Sequence, residues 1–373
     1  MVRSAPNFLF MRTPKLRHLA GLTAVLVIEL AQLPGAHAAP ADRAATRHVV
    51  QPGQSIQAAV DAAAPGDTIE IRPGTYRENL QITTDRLTLR GAGGTTVLTP
   101  AEQPSDNACG AAGHGICVTG TAQDPVSDVR ISSLKVTGFA KNGIWGSGTD
   151  RMTVRDTVAE RNGQQGLGQE LSTRGAFVGN VSRNNGQSGV FLANTIDAEG
   201  GATDTLGTVV AGNELSANRN GVVVRRLRDL TVERNTITGN CAGVFVVGDE
   251  STPRAGDLTV RLNTVTGNNA YCAATDRLPF IQGAGIVLTG AEGTRVTANQ
   301  VHDNVGTSPM SGGIVLFTSV VGAPNAQNAI SQNVLSGNKP ADLADRDNGP
   351  GNTFTANVCA LSEPTGRCGT AAS

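Results

Sequence analysis

Residues 230–240 read LTVERNTITGN and residues 258–268 read LTVRLNTVTGN. The same eleven-residue phrase returns 28 positions later with asparagine in the same two places. Working outward, the asparagines pair as Asn213 with Asn218, Asn235 with Asn240, Asn263 with Asn268, Asn299 with Asn304 and Asn333 with Asn338, always five apart. An aliphatic residue (Leu215, Ile237, Val265, Val301, Leu335) stands two places after the first asparagine each time. Asp156 with Asn162 and Asn180 with Asn185 read as earlier, less regular copies. After each pair the chain returns to a glycine and a short apolar run, as in GVFLAN (189–194), GVVVRR (221–226), GVFVVG (243–248), GIVLTG (285–290) and GIVLFT (313–318), with GIWGSG (143–148) as an earlier example.

The shortest period, from Asn213 to Asn235, is 22 residues. It has room for about three short strands separated by Asn or Gly turns. With no helical periodicity between them, such strands cannot build a crossover sheet, but they can wind as a coil. Coils stacked at the ~4.8 Å spacing of paired strands place like residues above one another, so the aliphatic columns fill one interior and the asparagine columns form side-chain ladders. The asparagines therefore read as structural. At the start of the array, Ser55 is placed to cap a helix with an apolar face of Ile56, Ala59, Val60 and Ala63, ended by Pro65-Gly66, which would cover the open end of the sheets. The predicted fold is all-β, a single parallel β-helix of ~22-residue coils behind a short capping helix.

The ends and the composition set further bounds. Residues 1–38 hold a basic patch (Arg12, Lys15, Arg17), an apolar run from Leu19 to Leu33 and Ala36-His37-Ala38, the pattern of a secretory signal cut after Ala38. Glu29 interrupts the apolar run, which speaks against an uncleaved membrane anchor. Cleavage would remove Arg3, Arg12, Lys15, Arg17 and Glu29 and lower the formal charge from −1 to −4, a poor match for nucleic acid. The expected organisation is a signal at 1–38, a linker at 39–48, a capping segment at 49–65, the β-helix at 66–360 and a tail at 361–373. The expected product is secreted, monomeric and without a membrane span.

Six cysteines in an exported chain point to three disulfides. Fifteen pairings exist, and the shortest loops join Cys109 to Cys117, Cys241 to Cys272 and Cys359 to Cys368. Zinc is the lesser reading, because no C-x-x-C pair is present.

The capping segment with GTYREN (74–79), the following LTLRGAGG (87–94) and the N-x-[VIL]-x-x-N repeats together resemble the right-handed parallel β-helix proteins of the pectin-lyase-like superfamily, over roughly residues 49–360. The resemblance implies the handedness and a secreted protein. Its members include polysaccharide lyases, glycoside hydrolases, uronate epimerases, esterases and proteins without known chemistry, so it is specific for fold and weak for activity. The Q-D-T and D-F-I-F-G blocks of pectin methylesterases and the D-P-H-D block of alginate epimerases are missing here, and NTID (194–197) is only a faint echo of the polygalacturonase N-T-D block.

Sugar-acting members mostly bind along the outer face of one sheet. If Ile144, Val190, Val222, Val244, Ile286 and Ile314 point inward, alternation turns Trp145, Phe191, Val223, Phe245, Val287 and Val315 outward. Trp145, Phe191 and Phe245 are then either stacking platforms for sugar rings or apolar ground beneath the insertions at 195–205, 249–256 and 271–283. The strand ends beside that row carry Glu170, Asn194, Asp197, Glu199, Arg225, Arg226, Asp249 and Glu250. A uronan lyase or epimerase needs a cation or a Ca²⁺ ion on the substrate carboxylate and a base for the C5 proton. Arg225 or Arg226 with Asp197 and Asp249 fits that description. Asp197 with Asp249 would serve a hydrolase instead. The structural alternative is a solvated rim of ion pairs. His302 and His114 read as structural residues, in a turn and in the Cys109–Cys117 loop. The expected partner is an extracellular acidic polysaccharide. The rival is a non-catalytic envelope or matrix protein whose apolar face meets another protein.

Overall fold

The structure is a computed structural model that describes residues 44–103, 106–196 and 200–369. The expected signal peptide lies outside the described residues. Each full coil gives one strand to each of three long parallel sheets. In the middle of the chain Leu227–Glu233 enters sheet I, Thr236–Thr238 enters sheet II and Ala242–Val247 enters sheet III. Among the described residues sheet I has 12 strands, sheet II has 10 and sheet III has 11. Where no insertion intervenes, equivalent residues lie 22 or 23 apart, as the repeat predicts.

The corners show why the chain turns where it does. Asn180, Asn213, Asn235, Asn263, Asn299, Asn333 and Asn357 form one ladder, in which each Oδ1 accepts both the backbone N–H and the Nδ2–H of the asparagine one coil earlier. A second ladder runs from Asn162 through Asn185, Asn218, Asn240, Asn268, Asn304 and Asn338 to Asp342. The residue before each ladder asparagine is left-handed even when it is Arg234, Leu262 or Ala298, with φ of 53°, 56° and 54°. An L side chain is disfavoured there, and the side-chain ladder over-determines the corner that holds it. In the earliest coil Thr157, not Asp156, occupies the ladder position, its N–H donating to Asn180 Oδ1, which restores the offset of five to Asn162. Asp156 is instead the exposed left-handed residue just before it.

Between these corners runs one continuous core. It includes Val190, Val222, Val244, Ile286 and Ile314 on the predicted inward side of sheet III and Leu215, Ile237, Val265, Val301 and Leu335 from sheet II. The glycine opening each sheet III strand is needed for close approach: a Cβ on Gly243 would lie 2.5 Å from both the Gly285 carbonyl and Val265 Cγ1. At the N-terminal end, helix Ile56–Ala62 buries Ile56 and Val60, and Ser55 Oγ accepts the N–H of Ala58 at 3.0 Å. Glu78 adds a second cap the sequence did not suggest, accepting the N–H groups of Ile56 and Gln57 at 2.9 Å each.

Two expected boundaries move. The linker gives way to sheet I at Arg47–Val50, paired with Thr68–Ile71, and the C-terminal tail begins inside sheet III, where Ser362–Glu363 pairs with Leu343–Ala344. The three disulfides join Cys109 to Cys117, Cys241 to Cys272 and Cys359 to Cys368, the pairing that closes the shortest loops. Among the described residues no helix is long and apolar enough to cross a membrane.

Candidate functional site

The register of sheet III sets the predicted outward row in line: Trp145, Gly168, Phe191, Val223, Phe245, Val287, Val315 and Ala344. The next outward row is Ser147, Glu170, Ala193, Arg225, Val247, Thr289, Phe317 and Arg346. Sequence alternation found the first row but missed Gly168, which leaves a gap among larger side chains.

Most of the first row is covered. Phe245 is 3% exposed and packs with Val223, Val287 and Val315 in a second apolar cluster outside the coil, closed by Ile281 and Leu278 from one insertion and Met310 from another. The insertion at 271–283 is therefore a cover for Phe245, as one of the two sequence readings had it, and Phe245 is no open platform. The other two insertions named for that role pack on one another instead, Ala202 N–H donating to the Pro253 carbonyl at 2.7 Å.

Trp145 is covered differently. It is 6% exposed, and its ring lies against Gly168, where a Cβ would sit 2.7 Å from Cζ3. His114 stacks on one side of it at 6.5 Å and Phe191 on the other at 6.2 Å, giving a three-ring line along the axis. His114 Nδ1 accepts the Asn142 N–H at 3.2 Å, and burial, aided by Lys141, pulls the imidazole pKa down to about 4, so the ring is neutral near pH 7. His114 is structural, as expected, but as part of this stack. Phe191 ends the line half-buried.

The predicted catalytic residues separate into three situations. Arg226 and Asp249 do meet, in an ion pair whose side chains are only 11% and 10% exposed. Asp249 Oδ1 also accepts the Ser251 N–H at 3.0 Å. A pair this buried is matched to itself, and withdrawing either charge to act on a substrate would leave the other uncompensated. Arg225 and Glu170 stand half-buried on the outward row and grip the loop after Ala193: Arg225 Nη1 donates to the Thr195 carbonyl at 3.4 Å and Glu170 Oε2 accepts the Ile196 N–H at 3.0 Å. Asp197 lies outside the described residues, as does Glu199.

Two further predictions change place. Asn194, expected to face substrate, is buried, with Oδ1 accepting the Thr195 N–H and Nδ2 donating to the Gly201 carbonyl. His302 lies in strand Gln300–His302 of sheet II, where Nδ1 meets Ser336 Oγ at 2.9 Å, and is not in a turn. Glu250 is exposed.

The other buried carboxylates tie coils together. Asp150 takes a two-bond grip from Arg174 at 2.7 Å per bond, which holds its pKa below the usual carboxylate range. Burial alone would raise Glu160, but its bonds from Lys135 and Arg183 outweigh that and lower it. Neither is a proton donor near neutral pH.

Residues 105–265 match the family described as right handed beta helix region, and residues 198–360 match periplasmic copper-binding protein (NosD). Among solved structures, the Azotobacter vinelandii mannuronan C-5 epimerase AlgE4 A-module is 19% identical with a TM-score of 0.57, over 83% of this chain and 91% of that one. The AlgE6 A-module of the same organism is 20% identical with a TM-score of 0.53, over 82% and 92%. DFA-IIIase from Arthrobacter chlorophenolicus A6 in complex with DFA-III is 16% identical with a TM-score of 0.53, over 83% and 79%. These likenesses establish the right-handed parallel β-helix fold. No curated protein matches the sequence.

A copper site does not fit the described residues. The six cysteines are in disulfides, His48 pairs with Asp67, His302 with Ser336, and His114 is inside the ring stack. Among the described residues no group of three or more His, Cys, Asp or Glu is placed to hold a metal ion.

Proposed function

We propose that this right-handed parallel β-helix protein binds an acidic polysaccharide along the outer face of sheet III, in the stretch from Trp145 to Arg225. The observation that carries the reading is the half-buried Phe191 ring with Glu170 and Arg225 on the adjoining outward row. Neighbouring strands lie ~4.8 Å apart and alternate residues along a strand ~6.6 Å apart, so these diagonal neighbours are within reach of one sugar unit. An aromatic face packs against the C–H side of a pyranose, and a guanidinium takes a carboxylate through paired N–H donors. The epimerase modules of the same fold act, by name, on mannuronan, which supports an acidic ligand.

Binding is the better-supported half of the expected function. Lyase or epimerase chemistry needs a cation on the uronate and a base at C5, and the buried Arg226–Asp249 pair supplies neither. In an enzymatic version Arg225 would hold the carboxylate and Asp197 would act as base. A protein-docking apolar face, the rival role, has less support, because this chain's own insertions cover Phe245, Val287 and Val315. Three disulfides fit an oxidising compartment, extracellular or periplasmic, and export by cleavage after Ala38 belongs to this proposal.

Affinity electrophoresis through gels containing uronans or neutral glycans tests the reading. Retention by uronan, reduced about tenfold by Phe191→Ala and by Arg225→Gln, is the expected result. A wild-type chain that no uronan retards would end it. Growth of absorbance from unsaturated products in the same incubations would add lyase activity.

A further inference from the structure

On the corner between sheets II and III, away from Phe191 and its neighbours, the Cys241–Cys272 disulfide holds the root of the 271–283 insertion against the coils. Beside it is a hollow of about 310 Å³ whose lining includes Asn185, Asn218, Arg219, Cys241, Tyr271 and Cys272, and none of its lining residues is acidic. Tyr271 is 65% exposed, the most exposed large apolar side chain among the described residues. Phe280 stacks on it at 5.6 Å and 29°, fixing the ring by one face. Arg219 reaches the same hollow. Its guanidinium donates to the Ala273 carbonyl at 3.2 Å, and burial alone shifts its pKa, downward, with no acidic group acting on it. Arg183, at the end of the sheet II strand Val181–Arg183, is paired with Glu160.

A pinned aromatic ring and a partly desolvated cation without a carboxylate share one concave, acid-free surface. We propose that this hollow is a binding site for a carboxylate-bearing sugar, its ring against the face of Tyr271 turned from Phe280 and its carboxylate on Arg219. Tyr271 is held in advance by Phe280 and the disulfide, so little ordering is needed on binding. The carboxylate would supply charge-assisted bonds beyond the one Arg219 makes to the Ala273 carbonyl among the described residues. The site is separate from the sheet III face and stands or falls without it.

The chain has two tyrosines, and Tyr76 is buried at 3% exposure, so nitration by tetranitromethane reports Tyr271 selectively in the wild-type protein. The probes are digalacturonate, dimannuronate and their methyl esters, each up to millimolar concentration, with the modified peptide measured by mass spectrometry. The expected result is at least threefold slower nitration with one of the acids and no slowing with its ester. Arg219→Gln should abolish that protection, while Phe191→Ala should leave it intact, and the emission of Trp145, the single tryptophan, verifies that each variant is folded. Nitration unchanged by both acids overturns the proposal. Equal protection by acid and ester overturns the role of Arg219, and protection lost with Phe191→Ala assigns the ligand to the sheet III face instead.

Discussion

The outer face of sheet III is built in two ways along its length. From Phe245 to Ala344 it is a second core, with Val287 and Val315 1% and 0% exposed beneath Ile281, Leu278 and Met310. From Trp145 to Phe191 it is a line of rings with a glycine in the row and a half-buried phenylalanine at the end. Both halves belong to the same strands in the same register, so the coil does not set the difference. The insertions do: the 271–283 insertion closes over Phe245, while Phe191, on the edge of the same cluster, stays half-buried.

The largest test of this contrast substitutes the two phenylalanines. Phe245→Ala removes a ring closed in on every side and should cost about 4 kcal/mol, the range for a buried phenylalanine. Phe191→Ala, at the half-buried end of the line, should cost about 1 kcal/mol. Denaturant unfolding of both variants measures the gap. Equal costs would mean that the two halves are equally sealed and would remove the structural reason for placing a ligand at Phe191.

A smaller effect comes from filling the gap in the row. Gly168→Ala would place a methyl 2.5 Å from the Phe191 carbonyl and 2.7 Å from Trp145 Cζ3. Both the Phe191 backbone and the indole have to give, at about 2 kcal/mol or more for an overpacked site, and the Trp145 emission should shift to the red. A variant as stable as the wild type, with unchanged emission, would show that Trp145 does not depend on the gap.

The fold was legible because each coil restates it. Asn213, Asn235 and Asn263 carry the same instruction, so the ladder, the inward column and the outward rows could all be read by aligning a few lines of sequence. Even the slip at Asp156 was a slip of one residue, since a threonine at 157 serves where an asparagine was sought. The candidate site had no such redundancy. Arg226 and Asp249 were rightly placed near each other, but their burial depends on how the 249–256 insertion folds back, which no repeat encodes. Asn194 looked like a strand end facing outward and became the turn that starts a loop. Tyr271, an exposed aromatic residue beside a cysteine at the root of an insertion, was a signal outside the repeat.

The smallest expected effect isolates the open half by pH. His114 is buried neutral, with its pKa drawn down from 6.5 to about 4, first by burial and then by Lys141. In the unfolded chain the ring takes up a proton near pH 6.5, so the stability contributed by neutral His114 is fully present above that value and is lost as the pH falls toward about 4. Protonation places a charge against the Trp145 ring and loosens the stack, while the sealed half has no histidine in its apolar cluster. Trp145 emission should therefore change around pH 4, where the folded ring takes up its proton, and amide protection in residues 109–117 should fall there relative to that of the strand Ala284–Thr289. Carboxylates titrate across part of the same window, and His114→Phe separates the two: it keeps a ring in the stack and should flatten the emission profile. A step that persists in His114→Phe would assign the change to a carboxylate and dissolve this distinction between the halves.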